Sequence, residues 1–194
     1  MAKLIVSILS SLDNHCAGPD GRLDALPMSG AFDAHNLELL RSADTLLFGA
    51  VTFPMFEAYW PNVDRSPHGD PIQREIAERV EGARKIAVSD TLTISPNSPW
   101  AGAEVVRRNQ AYTRIAELKA QPGKDMLIYG SSILFNGLLA QGLVDELHLL
   151  LGNVVLGEGV RTFHPGLNAR FRLLSHRQLP DSDIAALHYD LRTH

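Results

Sequence analysis

The sequence predicts an α/β protein: a three-layer α/β/α sandwich with a mostly parallel central sheet and an antiparallel C-terminal hairpin. Three observations carry that expectation. Between residues 3 and 141, short apolar runs alternate with amphipathic stretches, the order of strand–helix units that build a parallel sheet covered on both faces. After residue 144, three strand-like segments follow with no helix between them. The chain of 194 residues, 45% hydrophobic and 21% charged, is enough for one sizeable core in a single domain, residues 1–194.

The elements follow in order. Residues 3–9 read as a buried strand. The opening "MAKLIVSILSSLD" does not read as a signal peptide, because its apolar run holds Ser7 and ends in Ser10, Ser11 and Asp13 without a small-residue cleavage pattern. Residues 33–42 read as a helix with Asp33 as N-cap and Leu37, Leu40 and Ala43 on one face. A strand at 45–48 ends at Gly49, and a helix from Thr52 to about Ala58 brings Phe53 and Phe56 inward. "WPNVDRSPHGDP" is a polar loop, and Asp70-Pro71 opens a helix with Ile72, Ile76 and Val80 on its buried side. Strands at 85–88 and 104–107 precede a helix at 109–120 with Tyr112, Ile115 and Leu118 aligned. The strand at 126–129 runs through Gly130-Ser131-Ser132 into a helix ending at Gln141, with Gly142 as its C-terminal glycine. Segments 144–151, 171–179 and 184–191 are the last strands, and Pro180-Asp181-Ser182-Asp183 turns the hairpin.

Composition excludes some functions. A net charge of -4 offers no basic surplus for a nucleic-acid backbone. The longest apolar runs, such as residues 147–151, fall far short of the about 20 residues that span a membrane. The one cysteine, Cys16, allows no intrachain disulfide, and a cytoplasmic location is expected.

Small or hydroxyl-bearing turns follow four of the strands. They are "SSLDNHCAGPDG" (10–21), "LLFGAVTF" (46–53), "AVSDTL" (87–92) and "YGSS" (129–132). Ligands of such sheets sit at the carboxyl ends of the strands. Turns of this kind at one edge suit a dinucleotide whose pyrophosphate lies between two helix N-termini. Strand-to-helix turns are also small and polar for steric reasons, and the turns by themselves fit either reading.

"SLDNHCAGPDG", "LLFGAVTFPMFEAYWP", "KIAVSDTL" and "DMLIYGSSILFNGLLAQGLVDELHLLLGNVVLGEGVRTF" resemble the dihydrofolate reductase-like superfamily. Within it they are most similar to the reductase (C-terminal) domain of the bacterial riboflavin-biosynthesis deaminase-reductase, over nearly the whole chain. The resemblance implies a dihydrofolate reductase-like fold and an NADPH-dependent reductase; NADH is possible because this sequence departs from the family pattern at Ala50 and Asp90. It implies a nicotinamide near Ala17 and Gly18. The pyrophosphate would lie between Gly49, Ala50, Val51, Thr52 and Gly130, Ser131, Ser132, Ile133, Leu134, and the adenosine end near Ser89, Asp90 and Thr91.

Some positions depart from the family pattern. Ala50 and Asp90 stand where arginines often grip a 2′-phosphate. Asp90 would repel that phosphate, would accept a hydrogen bond from a free ribose 2′-hydroxyl, or would cap the next turn. Arg107 and Arg108 are the candidates to restore the positive charge. Asn14 replaces a common glycine and tolerates positive φ better than most residues. Asn153 replaces a common proline.

The candidate acid–base group is Asp33, the position matching the carboxylate that grips the pteridine in dihydrofolate reductases; as an N-cap it would need no substrate. A carboxyl facing an apolar pocket would show a raised pKa. Met55, Phe56 and Trp60 are candidates to cover a flat ring, with core packing the simpler role for Phe56. The eight histidines show no helical ligand spacing, so no metal site is expected. No partner argues for thiol catalysis at Cys16, and "YGSSIL" is not a nucleophile elbow.

The expected function is NADPH-dependent hydride transfer to a small heteroaromatic acceptor, pterin- or dihydrofolate-like or a pyrimidine. One alternative is reduction of the ribosylamino-pyrimidine of riboflavin synthesis. It is disfavoured because no deaminase segment with zinc ligands and no basic cluster for a ribose phosphate stands out. The other is a non-catalytic nucleotide-binding protein that keeps the fold. A homodimer is expected through the C-terminal strands.

Overall fold

β1 (Leu4–Ser10) is buried at every position because both of its faces are covered. Leu4, Val6 and Ile8 enter one apolar cluster and Ile5 another, as the two-residue period of a strand requires. The computed structural model describes residues 2–192; Met1, Thr193 and His194, part of the expected 1–194 span, lie outside the described residues.

The remaining elements are β2 (His15–Ala17), α1 (Gly30–Ser42), β3 (Ala43–Gly49), α2 (Thr52–Tyr59) with a 3-10 turn at Trp60–Asn62, α3 (Pro71–Gly82), β4 (Arg84–Val88), β5 (Glu104–Val106), α4 (Arg108–Ala120), β6 (Asp125–Tyr129), α5 (Ser132–Ala140), β7 (Glu146–Leu151), β8 (Val160–Arg161), β9 (Arg172–Gln178) and β10 (Ala185–Asp190). The main sheet has eight strands in the order β5-β4-β3-β6-β1-β7-β10-β9, and β2 pairs with β8 in a separate two-stranded ribbon. The pairings from β5 through β7 are parallel. β10 pairs antiparallel with β7 and β9. This is the mostly parallel sheet with an antiparallel C-terminal hairpin that the sequence predicts.

Helices cover both faces. Leu37 and Leu40 of α1, Phe53 of α2 and Ile76 and Val80 of α3 pack on one side with Leu46 and Phe48 of β3. Ala111, Ile115 and Leu118 of α4 and Leu134, Phe135 and Leu138 of α5 pack on the other. Among the described residues no helix is long and apolar enough to cross a membrane.

Several boundaries differ from the sequence expectation. α1 starts at Gly30, with Ser29 in the N-cap position, so Asp33 is not the cap. Its N–H already bonds the Ser29 carbonyl at 3.2 Å, inside the first turn. Ala43 opens β3 rather than closing a helix face. On α4 the buried face is Ala111, Ile115 and Leu118, and Tyr112 lies 40% exposed at its rim. Arg107 caps α4 instead of ending β5. The short ribbon strands β2 and β8 lie in segments that read as loops, because two or three residues are too few to show a period. Gly142, at φ 65°, follows α5 as expected, and Asp181, at φ 51°, takes the hairpin turn.

Because β4, β3, β6 and β1 are adjacent and parallel, the turns after them line up along one sheet edge. Three strand spacings of about 4.8 Å make this edge about 14 Å long.

Candidate active site

β3 leads into α2 on one face of the sheet, and the neighbouring β6 leads into α5 on the other. The two helix N-termini therefore flank a crevice at the carboxyl edge, where open α/β sheets bind ligands. Neither helix has a side-chain cap, so first-turn N–H groups remain as donors. α3, in contrast, is capped by Asp70, whose carboxylate accepts from the N–H groups of Ile72 and Gln73.

Ser131 joins the two turns. Its backbone is left-handed, φ 52° and ψ 57°, a rare state for a non-glycine residue. Its Oγ accepts from the Gly49 N–H at 3.0 Å and shares a 2.6 Å hydrogen bond with Thr52 Oγ1. A Cβ on Gly49 would lie 3.3 Å from that Oγ, so the turn leaves little room for a side chain. Val51 and Ile133, 75% and 66% exposed, stand as aliphatic residues at the two helix starts. Leu134 is buried in the core.

Ser132 turns elsewhere. Its Oγ donates to the Arg161 carbonyl at 2.5 Å and lies 3.0 Å from His164 Nε2. Asn136 holds the same loop, donating to the Thr162 carbonyl and accepting from the His164 N–H.

The loop after β1 is stitched to residues 154–163. Asp13 accepts from the N–H groups of Leu156 and Gly157 and from Ser11 Oγ, which hold its carboxyl well below the usual carboxylate range; the Ser11 hydroxyl is the largest cause. Asn14 adopts φ 68°, as its substitution for glycine requires, and brackets Phe163 with two hydrogen bonds. Gly159, at φ 146°, sits where a Cβ would approach the Ala17 carbonyl to 2.1 Å. Ala17 is buried and Gly18 half-buried beside it. Cys16 is pushed above its usual pKa, chiefly by burial, which disfavours a thiolate. Asp13 and the 154–163 segment are not visible as partners in sequence, because they are more than 140 residues apart.

At the far end, Ser89 Oγ accepts from the N–H groups of Thr91 and Leu92 and shapes the turn. Asp90 accepts from the Arg108 N–H at 3.0 Å, at the start of α4 rather than in the turn that follows Asp90, and pairs with the Arg108 guanidinium at 3.5 Å. Arg107 Nη1 donates to the Asp90 carbonyl. One guanidinium thus pairs with the Asp90 carboxylate and a second with its backbone carbonyl, on an exposed corner.

On the α1 face, Asp33 is half-buried and accepts from Gln73 Nε2 at 2.5 Å. Burial pushes its carboxyl above the usual 3.8; the Gln73 hydrogen bond opposes this, and the charge of Asp70 adds to it. The Tyr129 phenol, raised by burial and by the charge of Asp33, donates to the Asn36 carbonyl at 2.7 Å. Phe56 stacks on Tyr129 at 6.0 Å, contacts Trp60 at 6.0 Å and packs on Phe48. Met55 is 42% exposed. The structure therefore groups Asp33, Tyr129, Phe56 and Trp60 and leaves Met55 at the margin.

A second polar group lies apart from the crevice. Ligand atoms of Glu146, His148 and His188 all fall within 4.8 Å of one another. Burial, and next the neighbouring His188, push His148 down to about 3; burial, and next Arg177, push His35 down to about 4. The histidines lack helical ligand spacing, and strand pairing brings them together instead.

Comparisons with known proteins agree with the fold. Residues 2–184 match the family model of the RibD C-terminal domain. The chain is 28% identical over 162 residues to the uncharacterized protein YyaP of Bacillus subtilis, covering 83% of this chain and 80% of that one. Its fold superposes on Acinetobacter baumannii RibD with a TM-score of 0.74 at 19% identity, covering 98% of this chain and 58% of that one. It superposes on Enterococcus faecalis dihydrofolate reductase, solved with NADP(H) and RAB-propyl, with a TM-score of 0.62 at 14% identity, covering 97% and 95%. With residues 2–184 matched, the chain belongs to the RibD C-terminal domain family.

Proposed function

We propose that this protein is an NADPH-dependent reductase that transfers a hydride to a small heteroaromatic acceptor, pterin- or dihydrofolate-like or a pyrimidine. The observation that carries the reading is the pair of uncapped helix N-termini of α2 and α5, tied by Ser131 across Gly49. Family membership and the likeness to a dihydrofolate reductase solved with NADP(H) support a nicotinamide cofactor. The residues present fit such a group. Free first-turn N–H donors and helix dipoles suit a pyrophosphate, and Gly49 keeps the backbone approachable.

When bound, the nicotinamide supplies the hydride. The α2 and α5 N-termini hold the anionic bridge. Arg107 and Arg108 supply positive charge at the adenosine end, beyond what Asp90 neutralises. Ala17 and Gly18, held by the 154–163 segment, wall the nicotinamide end. Phe56 and Trp60 cover the flat acceptor, which their apolar rings help to keep from water. Asp33, its carboxyl pKa raised by burial, is placed to pass a proton to the acceptor ring, and Gln73 fixes Oδ2. A homodimer through β9 fits this reading: all seven of its residues are exposed, Leu173 and Leu174 included.

The test is the oxidation of NADPH by the full chain with dihydropterin, dihydrofolate and aminopyrimidine acceptors, compared with Asp33→Asn. Turnover that falls in the variant supports the reading. NADPH bound without oxidation by any acceptor favours the non-catalytic alternative.

A further inference from the structure

The antiparallel end of the sheet carries ionisable side chains that the reductase reading does not use. Glu146 and His148 are two apart on β7 and so share a face. Antiparallel pairing sets His188 opposite His148 and Asp190 opposite Glu146. Glu146 and His148 are 7% and 9% exposed, while the His188 side chain is 26% exposed. His188 Nε2 lies 3.1 Å from Glu146 Oε2, and the two imidazoles stack at 4.1 Å and 19°.

We propose that Glu146, His148 and His188 form a binding site for a divalent transition-metal ion of the zinc class. Two imidazoles and one carboxylate are a common donor set for such ions. Metal–ligand bonds of about 2.0–2.2 Å arranged tetrahedrally place neighbouring donor atoms about 3.3–3.6 Å apart. The Glu146–His188 separation is already close to that edge, and all three donors lie within 4.8 Å. To converge on one ion the stacked rings must rotate out of parallel, and the partly exposed His188 has room to do so.

Lys3 Nζ donates to Glu146 Oε1 at 2.7 Å and orients the carboxylate, leaving Oε2 toward His188. His35 borders the site, its ring 5.2 Å from His148, but stays outside the donor set: its Nδ1 accepts from Arg177 at 3.2 Å, which leaves the hydrogen on Nε2. Three protein donors leave one position for water. His148 lies three residues before Leu151, the end of β7, so the ion would sit about 10 Å below the nicotinamide turns. Its role is to clamp β10 to β7 at the antiparallel end of the sheet.

The test uses the full chain, stripped with a chelator and desalted, then titrated with Co²⁺ and with Zn²⁺. The expected result is one ion per chain, visible Co²⁺ bands of low coordination number that Zn²⁺ erases, and a thermal midpoint raised by about 5–10 °C at one hundred times Kd. His188→Gln and Glu146→Gln are each expected to weaken binding at least tenfold, while His176→Gln and His68→Gln, at exposed positions, leave it unchanged. Absence of saturable binding, or binding indifferent to the first pair, overturns the proposal. Should the first pair fail to fold, Co²⁺ broadening of wild-type histidine NMR signals decides: loss confined to His148, His188 and the adjacent His35 supports the site, and loss elsewhere overturns it.

Discussion

Replacing Ser131 with alanine tests the link between the two turns. Ser131→Ala keeps the left-handed backbone and removes two hydrogen bonds, 3.0 Å to the Gly49 N–H and 2.6 Å to Thr52 Oγ1. At about 1 kcal/mol each, the loss is about 2 kcal/mol. For a chain of this size that lowers the thermal midpoint by about 4–8 °C. Ser131→Gly loses the same bonds but relieves the left-handed cost of about 1 kcal/mol, so it loses about half as much. The Gly49 turn, no longer pinned, must be ordered when cofactor binds, so NADPH affinity falls about tenfold, about 1.4 kcal/mol. Urea unfolding followed by circular dichroism, with nicotinamide fluorescence for binding, measures both. If Ser131→Ala keeps wild-type stability and affinity, Ser131 does not join the turns in the way described.

Other expected outcomes follow from the same structure. Asp33→Asn lowers turnover by about 10²- to 10⁴-fold, measured with the best acceptor found. Because burial raises the folded carboxyl pKa, the charged form destabilises the fold: the protonated carboxyl's advantage is complete below the unfolded 3.8 and is lost as pH rises through the folded value. Asp33→Asn is therefore more stable than wild type near neutral pH, and this gain disappears below pH 3.8 in melts across pH. Gly159→Ala forces a Cβ to within 2.1 Å of the Ala17 carbonyl at φ 146°, and costs at least about 3 kcal/mol by urea unfolding. Leu174→Asp, placed on the exposed edge strand, converts a dimer to a monomer in light scattering; a wild-type monomer at all concentrations contradicts the proposed β9 contact.

Hydrophobic periodicity carries the fold because each long element has a distinct environment. β1 and β6 read as continuous apolar runs, and both are central strands covered on two faces. The α1 start is less legible. Asp33 looks like a cap, but Ser29 and Gly30 permit a helix one turn earlier, which places Asp33 beside Gln73 of α3 instead. Tyr112 looks buried by its spacing, yet the neighbouring small Ala111 is the residue that fits against the sheet. The turns after β1, β3, β4 and β6 are visible as small-residue stretches, but their common edge depends on strand order, which local sequence does not encode. Asp13, Asn14 and Gly159 act through partners 142 or more residues away, and His148 meets His188 only through antiparallel register.

Equilibrium titration of the full chain with NADPH and with NADH, followed by nicotinamide fluorescence, tests the central claim most directly. The account predicts saturable binding of one nucleotide per chain, with NADPH preferred and the preference reduced when Arg107 and Arg108 are both replaced by alanine. Binding of neither nucleotide contradicts it, and would leave the Ser131 link between the turns as a feature of the fold alone.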